Sequence, residues 1–325
     1  MPALAVTTQH NDNWRTGANL AETALNTSNV RPGGFGKLFS RSVDGYLYTQ
    51  PLYVSQVDIP RVGSRNVVYV ATMHNSVYAF DADDPHATNP LWKVSLGPPC
   101  PLPDPNIGRG NNYHDIAVEV GVVSTPVIAP DTNTLYVVAF TKDPDNTYHH
   151  QLHALDLTTG AEKFGGPVPF AATVPGTGQG SVNGQITFAS HLQIQRSALT
   201  LANGRVYAAF ASYGDSGPYH GWVFGFDATT LRQTGVFNTT PDLGLGGIWQ
   251  AGQGLAVDDA GCLYFMTGNG PYPGSPWHDP NGTDLHGSVI KLTPDLKVAD
   301  WFAPYNVHDL DNYDQDLGSA GPLLI

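Results

Sequence analysis

Four stretches of this 325-residue chain repeat one pattern. A repeat constrains a fold more tightly than composition does, because every copy must adopt the same local structure. Residues 66–72, 76–81 and 91–96 form the first copy, and 134–140, 151–156 and 158–164 the second. The third comprises 204–210, 222–227 and 234–238, and the fourth 261–267, 287–292 and 298–302. Tyr69, Tyr136, Tyr207 and Tyr264 mark one register, at spacings of 67, 71 and 57 residues. Asp81, Asp156 and Asp227 each end the third strand of a copy, where a carboxylate can accept hydrogen bonds from the amides of the following turn.

A further short apolar stretch precedes each copy, at 50–54, 124–128, 197–200 and 254–257. Four short strands per unit, joined by Gly, Pro and Asp turns and restarted four times, predict an all-β fold, a β-propeller of four-stranded blades. A β-sandwich is the second choice, because it does not require every unit to restart with the same strand order. Besides the four blades there is a lone strand near 37–43, and 321–325 reads as the first strand of a fifth blade. A propeller closes by pairing its last blade with its first, and an open ring leaves sheet edges bare. The expectation is therefore a stretch of a longer propeller, cut inside its fifth blade, with closure of an unusually small ring as the other solution. Residues 1–325 are expected to form one propeller domain, with 1–35 as an N-terminal extension. The inserts 97–121, 167–196 and 270–286, rich in Gly, Pro, Asn and Asp, should lie as loops on one rim. Loops of such length usually shape a site or an interface. No stretch of ten residues shows a helical apolar period, with room for one helical turn in 18–30.

Charged residues make up 13% of the chain, about half the usual ~25%, too few to surface a helical bundle. Hydrophobic residues at 41% suffice for a core. The net charge of −13 repels phosphate backbones, which argues against nucleic acid as a partner. No apolar run is long enough for a membrane span. Cys100 and Cys262 are the only cysteines, in no zinc spacing and too few for a disulfide framework, and two separate thiols is the plainer reading. The first nine residues lack the basic and apolar regions of a signal peptide. The composition suits an exported protein whose leader has been removed, in the extracellular or periplasmic space.

The pattern Val77-Tyr-Ala-Phe-Asp81, followed by the strand opening Leu91-Trp92, resembles the blades of pyrroloquinoline-quinone (PQQ) type propellers, the quinoprotein superfamily. Three further stretches are similar to a group of bacterial secreted PQQ-like repeat proteins: 8–17, with Trp14-Arg15, Asp215-Ser-Gly-Pro-Tyr-His-Gly-Trp222, and 316–324. More distantly the chain resembles the quinoprotein alcohol dehydrogenases, which implies PQQ on a tryptophan floor, a Ca²⁺ that polarises the quinone, and an aspartate base. Three residues match that order: Trp249 as the cofactor floor, Asn269 as an amide ligand of the metal, and Asp316 as the catalytic base. The sequence also departs from that branch. Adjacent cysteines are absent, Cys100 standing alone, and the third-blade loop Gly217-Pro-Tyr-His-Gly221 contains no glutamate ligand. A tricarboxylate cofactor also needs cations that this acidic chain supplies sparsely.

Other groupings carry weaker signals. Asp309, Asp311, Asp314 and Asp316 place four carboxylates within eight residues, a density of oxygen ligands that suits Ca²⁺, although a hydrated acidic loop explains it as well. Strand alternation puts His149 and His153 on one face, with no third metal ligand evident and solvent exposure the ordinary reading. Ser197 and Ser216 lack a nucleophile context. Gly176-Thr-Gly-Gln-Gly180 lacks the lysine of a phosphate loop. Tyr213, Tyr219, Trp222, Tyr272 and Trp277 either form a sugar-binding rim or brace the loops, the second being the plainer reading. The leading expectation is a binding or scaffold propeller that presents long rim loops to a small molecule, carbohydrate or protein. A PQQ- and Ca²⁺-dependent dehydrogenase of alcohols or sugars is the alternative.

Overall fold

The computed structural model describes residues 5–108, 110–270 and 283–325. Strands follow one another as antiparallel neighbours in four sheets. The first blade is Leu52–Ile59, Gly63–Ala71, Ser76–Asp81 and Trp92–Ser95; the second is Val127–Ala129, Thr134–Lys142, Tyr148–Asp156 and Val168–Pro169. The third is Thr200–Ala202, Arg205–Ser212, Trp222–Asp227 and Gln233–Asn238; the fourth is Ala256–Val257, Leu263–Met266, Val289–Leu292 and Val298–Phe302. The middle strands of blades 2 and 3 and the third strand of blade 1 are buried on both faces over most of their length, which is why they read as nearly continuous apolar runs.

Apolar clusters join consecutive blades face to face. Leu52, Tyr69, Val77 and Ala79 of blade 1 meet Ile128, Leu135, Val137 and Leu155 of blade 2. Between blades 2 and 3 the core is aromatic, with Phe170, Phe188, Phe210, Phe224 and Phe226 meeting edge-to-face at centroid separations of 4.9–5.5 Å. Tyr207, Ala209 and Val223 pack on Leu263, Phe265, Ile290 and Leu292 to seal blades 3 and 4. Among the described residues no apolar cluster joins blade 4 back to blade 1. The arrangement is an open arc of a β-propeller, as the repeat predicts.

The marker tyrosines are equivalent by rotation. The Tyr69 hydroxyl donates to Leu157 O at 3.0 Å, Tyr136 to Ala228 O at 2.5 Å and Tyr207 to Pro294 O at 2.9 Å. Each acceptor lies one or two residues after the third-strand end of the next blade. Tyr264 has no following blade in the described chain and donates instead to Asp258 of its own blade, at 2.8 Å. The strand-ending aspartates behave as expected: Asp81, Asp156 and Asp227 each accept from two successive turn amides at 2.8–3.1 Å.

Several local expectations are corrected. The outer strand of blade 2 is Val168–Pro169, because residues 161–163 pair irregularly: the Glu162 carboxylate itself accepts the Ala154 amide at 2.9 Å and replaces a ladder bond. Residues 37–43 form no strand. Val43 packs on Val70, Tyr78 and Phe80 and covers the outward face of blade 1. Residues 18–30 form turns, and the one α-helix among the described residues, Val307–Asn312, falls in the acidic run read as a loop. Residues 321–325 are extended without a ladder, with Leu324 N donating to Trp14 O at 3.1 Å. Cys100 is buried, Cys262 half-buried, and both are free. No described helix is long and apolar enough to cross a membrane.

Antiparallel order puts 97–121 and 170–196 on one rim, since each links an outer strand to the next inner strand; most of the insert 270–286 lies outside the described residues. At the opposite end the N-terminal residues cross all four inner strands. Ala5 and Val6 pair with Val54 and Tyr53, and Thr7 O accepts from Ile128 N. Asn13 bonds Leu201 and Val257, and Arg15 reaches Thr200 and Leu255. The Arg15 guanidinium is 1% exposed and donates to Thr8 Oγ1, Gln9 O, Thr200 Oγ1 and Leu255 O at 2.6–3.0 Å. Burial lowers its pKa to about 10. Gly254 is required beside it, because a Cβ there would lie 2.4 Å from the guanidinium.

Candidate functional site

On the insert-bearing rim, about the axis, lies a cavity of about 380 Å³. Its lining follows from the repeat. Tyr48, Val123 and Arg196 each stand four residues before the inner-strand residue that pairs with the blade's marker tyrosine. Equivalent positions of successive blades therefore converge on the axis. Tyr113, Asp115 and Ile116 come from the first long insert, and Ser212, Gly214 and Asp215 from the end of a blade 3 strand. Blade 4 contributes Trp249, Ala251 and Gly268, and the segment after it Asp316, Gly318 and Ser319.

Trp249 is half-buried in the wall. Its indole Nε1 donates to Ser212 O at 3.2 Å, and its ring meets Tyr219 edge-to-face at 5.8 Å. The ring lies so close to Gly268 that a Cβ there would come within 2.7 Å of it. Tyr219 in turn donates its hydroxyl to Asp215 Oδ1 at 2.8 Å. Asp215 sits at a φ of 52° in the left-handed region, so its loop is held in a conformation that non-glycine residues seldom adopt. The loop is pinned at its other end by His220, whose ring nitrogens lie 2.9 Å from Gln179 O and Thr240 O. Burial raises the Asp316 carboxyl above its ordinary value, and the nearby charges of Asp314 and Asp215 push it the same way. Among the described residues Arg196 is the sole cation in the lining, against the carboxylates of Asp115, Asp215 and Asp316.

Of the residues singled out by sequence, Trp249 and Asp316 line the same cavity. Of the four metal candidates two meet each other and the other two do not join them in one cluster. Asn269 donates its side-chain amide to Asp314 Oδ1 at 2.9 Å. Asp311 is buried, accepting from Gly270 N at 3.1 Å and lying 3.3 Å from His286 Nδ1. Asp309 is exposed on the helix. Among the described residues no three His, Cys, Asp or Glu side chains gather as a metal site. This donor set does not fit Ca²⁺, whose six to eight oxygens must converge. One guanidinium facing three carboxylates likewise does not fit a bound tricarboxylate.

The remaining candidates are structural. His149 pairs with Asp143 at 3.2 Å. His153 is buried rather than solvent-facing and meets Glu162 at 3.0 Å, because its side of the strand is covered by the irregular 161–163 segment. Tyr213, Tyr219 and Trp222 are all buried and brace the loops, while Tyr272 and Trp277 lie outside the described residues. Sequence reasoning missed Arg196, Asp115, Asp215, Tyr48 and Tyr113. The signal for Tyr48 and Arg196 was available in the shared register before the inner strands. The other three depend on how loops fold over the axis.

No protein-family model matches the chain, and no curated protein matches it. Solved structures do. The chain is similar to a quinohemoprotein alcohol dehydrogenase from Comamonas testosteroni, at 16% identity and a TM-score of 0.56, over 92% of this chain and 41% of that one. A europium-containing methanol dehydrogenase aligns at 15% identity and a TM-score of 0.58, over 93% of this chain and 49% of that one. The chain thus spans under half the length of these neighbours, and at such identities the likeness is one of fold. Its fold is that of a quinoprotein-like β-propeller.

Proposed function

We propose that the chain is a binding propeller whose axial cavity takes a small organic molecule against the face of Trp249. The observation that carries this reading is convergence: equivalent positions of successive blades, the first insert and the 215 loop all deliver polar or aromatic side chains to one cavity. The N-terminal segment crosses the axis at the other end, so the cavity is approached from the insert-bearing rim. Concave, partly aromatic pockets with a few convergent polar groups are the usual form of small-molecule sites. In this reading residues 1–325 work as one unit, in the extracellular or periplasmic space, for which the acidic, turn-rich composition is suited.

Thermal denaturation with a panel of sugars, polyols, organic acids and amines tests the reading. At least one class should raise the midpoint of the wild-type protein and leave Trp249→Ala unmoved. A panel without effect, or equal shifts in both proteins, would overturn it. A second reading, a PQQ- and Ca²⁺-dependent dehydrogenase of alcohols or sugars, draws support from Trp249 and Asp316 facing the same cavity and from the neighbours' names. The lack of a gathered set of metal ligands among the described residues and the acidic lining weigh against it. Dye-linked alcohol oxidation by the protein with PQQ and Ca²⁺, lost in Asp316→Ala, would put that reading first.

A further inference from the structure

We infer that the axial cavity selects an organic cation, an amine or quaternary ammonium group seated among Asp115, Asp215 and Asp316 with its apolar part on Trp249. The inference rests on the cavity being the binding site and adds the chemical class of its ligand. The charge balance is the first reason. Among the described residues the lining holds three carboxylates and one guanidinium, two charges negative, and such an excess in a concave site concentrates cations. Arg196 does not cancel it, for it forms no salt bridge with the described residues. The mutual repulsion of Asp316, Asp314 and Asp215 is an unfavourable interaction that a bound cation relieves.

The second reason is aromatic. Tyr48, Tyr113 and Trp249 line the same space, and a cation over such faces is attracted by the ring quadrupole while its methylene or methyl groups are desolvated. A metal ion is the poorer occupant, because among the described residues no three His, Cys, Asp or Glu side chains gather as a metal site.

Calorimetric titration with choline and with its neutral isostere 3,3-dimethylbutan-1-ol tests the class, with glucose and Ca²⁺ as further ligands. Choline should bind saturably and the neutral isostere should not. Asp316→Asn should weaken choline by about tenfold or more, the loss of one close charge pair. Arg196→Gln should tighten it several-fold, and added salt should weaken it in the wild-type protein. Asp316, Asp215 and Arg196 are exposed, so these substitutions should leave the unfolding midpoint near that of the wild type. Equal binding of the isostere, binding of glucose or Ca²⁺ but not choline, or indifference to Asp316→Asn overturns the cation assignment. Trp249-dependent binding of glucose or the isostere would leave the cavity reading standing, whereas no Trp249-dependent binding in either this series or the wider panel would remove both.

Discussion

His150 shows how one buried side chain contributes to the response of the chain to acid. It is 2% exposed and sits against Phe140 at 4.6 Å and Phe210 at 5.1 Å, with Nδ1 making no hydrogen bond. Burial, followed by repulsion from His149, lowers its pKa from 6.5 to about 3. The neutral ring is therefore the form compatible with the fold. As pH drops below 6.5 the unfolded chain takes a proton that the folded chain refuses until about pH 3, so stability falls through that window. By pH 4.5 the loss is about 2–3 kcal/mol. His150→Phe should flatten it: the drop in urea midpoint between pH 7 and pH 4.5 should be smaller in the variant, and equal drops would refute the assignment. Residues of this kind are hard to read in sequence. His149, His150 and His153 stand on one strand, and only the neighbouring blade decides which of them is dry.

At the scale of the element, the tyrosine register is a set of bolts between blades. The Tyr136 hydroxyl bonds the carbonyl of buried Ala228 across the interface of blades 2 and 3, whereas Tyr264 is half-buried and bonds within its own blade. Removing the first hydroxyl leaves a buried acceptor without a partner, at a cost of about 1–3 kcal/mol. Tyr136→Phe should therefore lower the unfolding free energy by that amount and Tyr264→Phe by about 0.5 kcal/mol or less. Equivalent losses in denaturant titrations of the two variants would mean that the interface bond is not the reason for the repeat. The blade strands were legible because their apolar runs and turn residues are local signals. The outer strand of blade 2 was not, since Glu162 substitutes a carboxylate for a ladder carbonyl, and composition cannot show that exchange.

For the whole molecule, the N-terminal segment is the piece that ties the arc together. Arg15 links its own loop to blades 3 and 4 through Thr200 and Leu255, beside the bonds of Asn13 to Leu201 and Val257. The guanidinium has five donors in a fixed plane and uses them on several acceptors at once, a geometry that lysine does not reproduce. Arg15→Met should cost on the order of 3 kcal/mol, from lost charge-assisted bonds and carbonyls left unpaired. Arg15→Lys should recover little of it. Urea midpoints near wild type in both variants would show that the segment lies passively on the blades. Sequence placed this stretch in an extension, since a single arginine in a polar run carries no mark of burial.

The repeat by itself determined the blade, its strand order, its aspartate-closed turns and the register of its tyrosines, because hydrogen bonding and apolar periodicity act over a few residues. The resemblance to quinoprotein alcohol dehydrogenases, not the repeat, singled out Trp249 and Asp316. Only the tertiary structure decided that these two share a cavity with Arg196, Asp115 and Asp215, and that Asn269 and Asp311 are spent on neighbours. Which charges face one another is fixed by how loops distant in sequence converge on an axis, and no local pattern encodes that distance.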